Sequence, residues 1–296
     1  GKTPTCIWLA EELAGRGLKV GILSRGYGRR DAEPVVLRPG GQGMINGSLD
    51  DDLLRAGDEP LMMAQIYGHC VAVAKDRREA AAALLRSADV DVFILDDGYQ
   101  HRVVRRDFDL LLLGNDSTGS LLPAGPFREP KKNLRRASGL LITGGNEQWN
   151  SLVKKHHATP CFTGALEPVS LIGLAAKRWK EYPLGLLCQR KILTVTGVAD
   201  PTGLYRMIHE WEGEVIDTLE FPDHHFYTAQ DWQEINRMAR FVDLIITTEK
   251  DILKLARFPF AKDKLLALRV AMKVADGMAL VGAIVDRLEQ ARGSRK

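Results

Sequence analysis

Apolar residues in the first half of the chain fall into short solid blocks separated by stretches of helical period. The blocks at 19–24 (Lys-Val-Gly-Ile-Leu-Ser), 70–74, 91–95, 108–113 and 139–143 predict buried strands. Ile7, Ala10, Leu13 and Ala14 recur at helical spacing, with Pro4 in the first turn and Gly15 and Gly17 closing the run, which predicts a helix over 4–15. Further helices are predicted at 59–67 and 76–87. This alternation points to a mostly parallel sheet covered by helices. Residues 38–52 are rich in glycine and keep no period, so they read as a loop or an irregular hairpin.

The pattern changes between about 150 and 190. Short β-like pieces (160–165 and 169–174) are interrupted by Pro160, Pro168 and Pro183, as in a linker region. A second α/β pattern begins at Lys191. Its predicted strands are 192–196, 214–218, 243–247 and 264–270, and its helices are 202–212, 229–241, 249–257 and 276–292. The expected organisation is a P-loop NTPase-like α/β core lobe over 1–150, a β-type linker over 151–190 and a smaller α/β lobe over 191–296.

Composition adds bounds. A chain of 296 residues is long enough for two medium α/β domains, and 45% apolar with 27% charged residues is ordinary for a globular protein. The net charge of +3 is too small to imply a nucleic-acid partner. Positive charge is clustered, however, at Arg102, Arg105 and Arg106 and again at Arg128, Lys131, Lys132, Arg135 and Arg136. Such clusters suit an anionic substrate, a membrane surface or a solvated basic face. Cys6, Cys70, Cys161 and Cys188 lie far apart and match neither a zinc site nor a disulfide framework, which suggests a reducing, cytoplasmic setting. No apolar run approaches the roughly 20 residues that span a bilayer.

Candidate chemistry begins at the first residue. Gly1-Lys2-Thr3, followed by a helix and then a strand, matches the end of a phosphate-binding P-loop, in which lysine neutralises phosphates and the hydroxyl ligates Mg²⁺. A chance GKT at the start of an ordinary helix is the competing reading. Val92-Phe93-Ile94-Leu95-Asp96-Asp97-Gly98 describes a buried strand delivering carboxylates to a sheet edge, where Mg²⁺ sits in P-loop enzymes; alone it reads first as a strand ending in an Asp-Gly turn, and the pairing with Gly1-Lys2-Thr3 favours the metal reading. Tyr99-Gln100-His101 and the arginines behind it form a polar loop beside that edge. Gly57-Asp58-Glu59-Pro60 reads first as a helix start with Asp58 as its cap, or else as a carboxylate base. The segment 121–130 is stiff with proline and presents apolar residues beside Arg128 and Glu129. Asp223-His224-His225 offers proton transfer, helix capping or metal ligation, the last disfavoured by the lack of further ligands at a recognisable spacing. Thr247-Thr248-Glu249-Lys250-Asp251 reads as a strand end followed by a capped helix.

Taken together and in order, several segments resemble the tetraacyldisaccharide 4′-kinase family. They are Gly1-Lys2-Thr3-Pro4, Ser24-Arg25-Gly26-Tyr27-Gly28, Gly57-Asp58-Glu59-Pro60, Asp96 through His101, Leu121 through Pro130, Asp223-His224-His225 and Thr248-Glu249-Lys250-Asp251. The resemblance implies ATP- and Mg²⁺-dependent phosphorylation of the 4′-hydroxyl of an acylated glucosamine disaccharide 1-phosphate in lipid A synthesis. It also implies a peripheral enzyme at the cytoplasmic face of the inner membrane, in contact with anionic lipid. Carried over by motif, Gly1, Lys2 and Thr3 would hold the ATP phosphates, with Thr3, Asp96 and Asp97 on Mg²⁺. Asp58 would be the base, acting with His224 or its neighbour His225, which replaces the helix-cap reading. Glu59, Gln100, His101, Arg128 and Glu129 would line the active site. With Asp58 in the first lobe and His224 in the second, the pair would depend on lobe closure.

The chain starts inside its P-loop motif, and the upstream glycines and the family's membrane-associated N-terminal helix precede Gly1 in the pattern. As given, the chain is expected to have little or no kinase activity. Two readings from other classes compete: a P-loop ATPase or GTPase switch, and a nucleotide-binding module without catalysis.

Overall fold

A computed structural model describes residues 1–38, 49–114, 120–125, 127, 129–144, 149, 153, 159–175, 177–261 and 263–293. Helix α1 (Lys2–Gly15) leads to strands β1 (Val20–Ser24) and β2 (Val35–Leu37). Helices α2 (Leu49–Ala56) and α3 (Asp58–Gln65), strand β3 (Cys70–Val73), helix α4 (Arg77–Leu85) and strand β4 (Val92–Leu95) follow. Next come β5 (Leu110–Leu113), a 3₁₀ turn at Lys131–Arg136, β6 (Gly139–Thr143), the long β7 (Cys161–Ala175) and β8 (Arg178–Tyr182). The remainder is β9 (Lys191–Thr196), α5 (Thr202–Glu210), β10 (Glu214–Glu220), α6 (Ala229–Met238), β11 (Leu244–Thr248), α7 (Glu249–Leu255), β12 (Leu265–Val274) and α8 (Gly277–Gly293).

Every strand and helix expected from periodicity is present within a few residues, apart from the ends. Part of the span expected as an irregular loop, 49–52, instead opens α2, while 39–48 lie outside the described residues. The proline-broken stretch read as a linker is mostly strand, β7 with β8 antiparallel to it. The strands sort into two sheets, one ordered β2-β3-β1-β4 and one ordered β10-β9-β11-β12-β7-β6-β5. The first-half strands β5 and β6 therefore belong with the second-half strands, pairing parallel with each other and with β7. All pairings of β9, β10 and β11 are parallel as well. The mixed α/β class with a mostly parallel sheet is thus as expected.

Contacts group the chain into two compact units. One comprises Gly1–Gly17, Asp96–Leu166 and Ala271–Lys296; the other comprises Leu18–Leu95 and Glu167–Val270. This grouping interleaves the chain, unlike the consecutive blocks suggested by the pattern. The reason lies in pairing partners, which a period-2 pattern does not encode. In the first unit, α8 from the chain's end packs on α1 from its start. Ile7, Ala10 and Leu13 of α1 are buried as the spacing requires, together with Thr3, Thr5 and Cys6, while Ala14 is exposed. Leu113, Leu134, Leu140, Ile142 and Trp149 form that unit's core, and the Trp149 indole donates to the Gly114 carbonyl at 2.9 Å.

In the second unit, Leu193, Val195, Tyr227, Ile245, Ile252 and Leu255 form one core, and Leu23, Ala72, Ala80 and Leu84 another. Helix α7 is short but almost wholly buried, and Thr248 caps it by accepting the Asp251 N–H at 3.2 Å, as the sequence motif indicated. Helix α3 packs on α7. Its N-cap is Gly57, with φ 89° and ψ 163°, a conformation essentially restricted to glycine. A Cβ there would sit 2.8 Å from the Tyr27 carbonyl oxygen. Gly57→Ala is therefore expected to destabilise the protein by about 1–3 kcal/mol. Denaturant unfolding measures this, and an unchanged midpoint would contradict the backbone argument.

Candidate active site

Two clusters of the candidate residues form, one in each unit. The first surrounds the start of α1. Lys2 is the first residue of that helix, and its Nζ lies 2.9 Å from Asp97 Oδ1. Asp97 adopts φ 48°, the turn conformation that Asp tolerates, which brings its carboxylate from the end of β4 to the lysine. Thr3 and Asp96 are buried beside these two in sequence, and Asp97 is exposed. Thr3, Asp96 and Asp97 offer the hydroxyl and carboxylate oxygens that Mg²⁺ prefers. Among the described residues no three His, Cys, Asp or Glu side chains gather to hold a metal alone.

The loop after Asp97 is organised by its own unit. Tyr99 donates its hydroxyl to the Asn133 carbonyl at 2.8 Å, and the Arg136 guanidinium lies over its ring at 4.4 Å. Glu129 accepts from Arg136 at 2.8 Å and from the Asn133 amide at 2.9 Å, with Arg102 at 3.6 Å. Glu129 therefore braces the 3₁₀ turn against the 99–102 loop. Gln100 is exposed and His101 half-buried. Arg106 is taken up by Asp109 at 2.5 Å and by the His101 carbonyl. The basic clusters are thus partly internal structure. Arg128 lies outside the described residues.

The second cluster centres on a buried carboxylate, with its partner histidine half-buried. Asp58 is the first residue of α3 but does not cap it; its Oδ1 accepts the Glu59 N–H at 2.9 Å. His224 Nδ1 lies 3.1 Å from Oδ1 and 3.0 Å from Oδ2 of the same carboxylate. Both residues belong to one unit, so the pair is made within that unit, contrary to the expectation that it would join two lobes. His224 has φ 60°, fixed by its N–H donating to the Gly197 carbonyl at 3.1 Å, and the Tyr27 ring lies 4.8 Å away. His225 points elsewhere: its Nε2 meets Asp231 Oδ2 at 2.9 Å, inside the capping box of α6. The geometry thus separates the two histidines that the sequence left interchangeable. Glu59 is ion-paired with Lys250 of α7.

The electrostatics of the pair are set by competing effects. Burial pushes the Asp58 carboxyl up, but the hydrogen bond to His224 and the charge of Lys254 outweigh it and hold the group at about 2. His224 is raised above its ordinary 6.5, chiefly by the bond to Asp58 and against the effect of burial. An ionised carboxylate can only accept, so Nδ1 carries the proton and Nε2 is the nitrogen open to exchange. Sequence reasoning missed Lys254, whose Nζ lies 3.4 Å from Asp58 Oδ2. A lysine one helical turn beyond a capping motif reads as surface, and no sequence signal marks it as buried.

Comparison with known proteins identifies the family. A family model described as LpxK, tetraacyldisaccharide-1-P 4′-kinase, matches residues 1–289. The chain belongs to this family. A tetraacyldisaccharide 4′-kinase of Syntrophus aciditrophicus is 34% identical over 276 residues, covering 86% of this chain and 72% of that protein. One from Rhodopseudomonas palustris is 33% identical and covers 100% of this chain and 82% of its own length. Among solved structures, an "apo" form LpxK from Aquifex aeolicus, crystallised in complex with ATP, superposes with a TM-score of 0.75 at 29% identity. That match covers 97% of this chain and 84% of the LpxK chain, so the kinase family's fold extends across both units. No described helix is long and apolar enough to cross a membrane.

The linkage has a definite sign. The lowered Asp58 value contributes stability above about pH 3.8 that is lost as pH falls through about 2. The raised His224 value contributes stability below pH 6.5 that is lost as pH rises through its higher folded value. In an imidazole titration followed by NMR, His224 is expected to titrate above 6.5 and to fall back in Asp58→Asn. A His224 titration indifferent to that substitution would show that the two side chains do not interact.

Proposed function

We propose that this chain transfers the γ-phosphoryl group of ATP to the 4′-hydroxyl of tetraacyldisaccharide 1-phosphate. The reading rests on family membership across both units together with one observation, the ionised Asp58 held 3.0 Å from His224. In the reaction the sugar oxygen forms a bond to the γ-phosphorus, and the bond from that phosphorus to the β,γ-bridging oxygen breaks, releasing ADP. The hydroxyl proton passes to the Asp58–His224 pair. A carboxylate at about 2 is a weak base alone. The imidazole, whose basicity is raised by the same contact, is the stronger proton acceptor of the two.

Lys2 neutralises phosphate charge, and Gly1 and Thr3 complete the phosphate contacts at the start of α1. Thr3, Asp96 and Asp97 would hold Mg²⁺, which supplies charge stabilisation on the transferring phosphoryl group. The Lys2–Asp97 contact supports this, because it sets the phosphate-binding cation beside the acids. Glu59, Gln100, His101, Arg128 and Glu129 remain candidates for positioning the disaccharide, with Glu129 acting through Arg136 and Arg102. A switch ATPase or GTPase, or a silent nucleotide-binding module, has no use for an ionised carboxylate–histidine pair, and the family match favours the kinase over both.

Incubating the complete gene product with γ-labelled ATP, Mg²⁺ and the lipid acceptor is expected to label the lipid. Asp58→Asn should lower that rate by about 10²–10⁴-fold. Nucleotide hydrolysis that ignores the lipid and survives Asp58→Asn would overturn the assignment.

We also infer peripheral contact with anionic lipid at the inner membrane's cytoplasmic face. Exposed Arg105, Lys132 and Arg135 and the exposed Val103, Leu121 and Leu122 of the same unit support it. Replacing the three cations by glutamine should weaken sedimentation with phosphatidylglycerol vesicles, whereas unchanged sedimentation would place the contact elsewhere.

A further inference from the structure

Behind the Asp58–His224 pair lies a second pair of charges, Asp251 and Lys254, one turn apart on α7. They are among the most buried charged groups described, 0% and 3% exposed. Lys254 Nζ lies 2.9 Å from Asp251 Oδ1 and 3.4 Å from Asp58 Oδ2, so one buried cation bridges two carboxylates. The other oxygen of Asp251 accepts the Gly197 N–H at 2.9 Å and the Thr248 hydroxyl at 2.7 Å. Gly197 in turn receives the His224 N–H on its carbonyl at 3.1 Å. Both halves of the reacting pair are therefore traced back to one carboxylate, Asp58 through Lys254 and His224 through the Gly197 peptide. Space is tight at the junction: a Cβ on Gly197 would approach Asp251 Oδ1 to 3.0 Å and the Tyr227 hydroxyl to 3.3 Å.

Burying an ion pair seldom adds stability, since the desolvation of both ions offsets their attraction. A fold that needed only a filled space here would be served as well by apolar side chains. We propose that the Asp251–Lys254 pair is a positioning device for phosphoryl transfer, which aims the Asp58 carboxylate at His224 and keeps it ionised. This rests on Asp58 and His224 being the proton-accepting pair. Asp251 and Lys254, both sealed from solvent, would act only through Asp58 and His224. The other charged groups facing Asp58 are His224 and Lys250, the latter held by Glu59, with Asp223 beyond His224 at 3.8 Å. Removing Lys254 leaves Lys250 as the sole cation of α7 near the site, and it is committed to Glu59.

The test compares four forms of the complete gene product by labelled-phosphate transfer across pH. They are the wild type, Asp58→Asn, Lys254→Met and the double variant Asp251→Asn/Lys254→Met. In the double variant Asp251 is not left as an unpaired buried carboxylate, and the asparagine oxygen still accepts from Gly197, so folding is expected even where Lys254→Met alone fails. Lys254→Met or the double variant is expected to lower kcat at least about tenfold with the KM for ATP unchanged. The acid limb of the kcat/KM profile should move towards neutral pH as burial of Asp58 goes uncompensated. A folded double variant with wild-type kcat and pH profile would overturn the proposal while leaving the kinase reading intact. Full activity in Asp58→Asn would instead sink the reading on which it rests.

Discussion

A carboxylate almost sealed from water must be neutralised or surrounded, and Asp58 is surrounded. Isolated burial of such a group is costly enough to protonate it. Here the imidazole of His224 and the ammonium of Lys254 reverse that tendency. Much of the second unit is arranged around meeting this requirement. Helix α3 delivers Asp58 in its first turn, and the Gly57 conformation sets its direction. Helix α7 packs on α3 and brings the cations, while the turn after β10 bends through the left-handed His224 to bring the ring.

The first unit solves a different electrostatic problem. It gathers a lysine at a helix N-terminus and carboxylates at a strand end, groups that attract one another through the Lys2–Asp97 contact. Under the proposed function the lysine would meet a nucleotide's phosphates and the carboxylates a hard cation. This contact is more exposed and so worth little to stability. Its value is chemical. Glu129, Arg136 and Tyr99 then stiffen the neighbouring loop, so that cations in the sequence clusters at 102–106 and 131–136 serve partly as struts.

Local structure was readable from the chain wherever side-chain period alone decides it. Helix α1, the apolar blocks of β1, β3 and β6 and the Thr248 cap all lie where pattern and capping chemistry put them. The motif order was also legible, and it named the family that the match over residues 1–289 bears out. What pattern did not carry was partnership. Nothing in the Leu110–Leu113 run says that it pairs with Gly139–Thr143 and not with the earlier strands. Nothing in an adjacent His224-His225 says which faces Asp58, because the choice depends on a backbone bond to Gly197. The acidic helix α2 was not legible, because it buries only Leu53 and Ala56 and so leaves little apolar period in the sequence. Lys254 is the sharpest case: in sequence it is an ordinary helical lysine, and only tertiary packing makes it part of the site.

The central claim is that Asp58 is ionised within a buried, cation-rich setting. Following the ¹³C resonance of its carboxyl carbon from acid to neutral pH, with the signal assigned by its loss in Asp58→Asn, measures this directly. The account predicts an inflection at about 2, well below the ordinary 3.8. An inflection above 3.8 would mean that burial prevails over His224 and Lys254, and would contradict it.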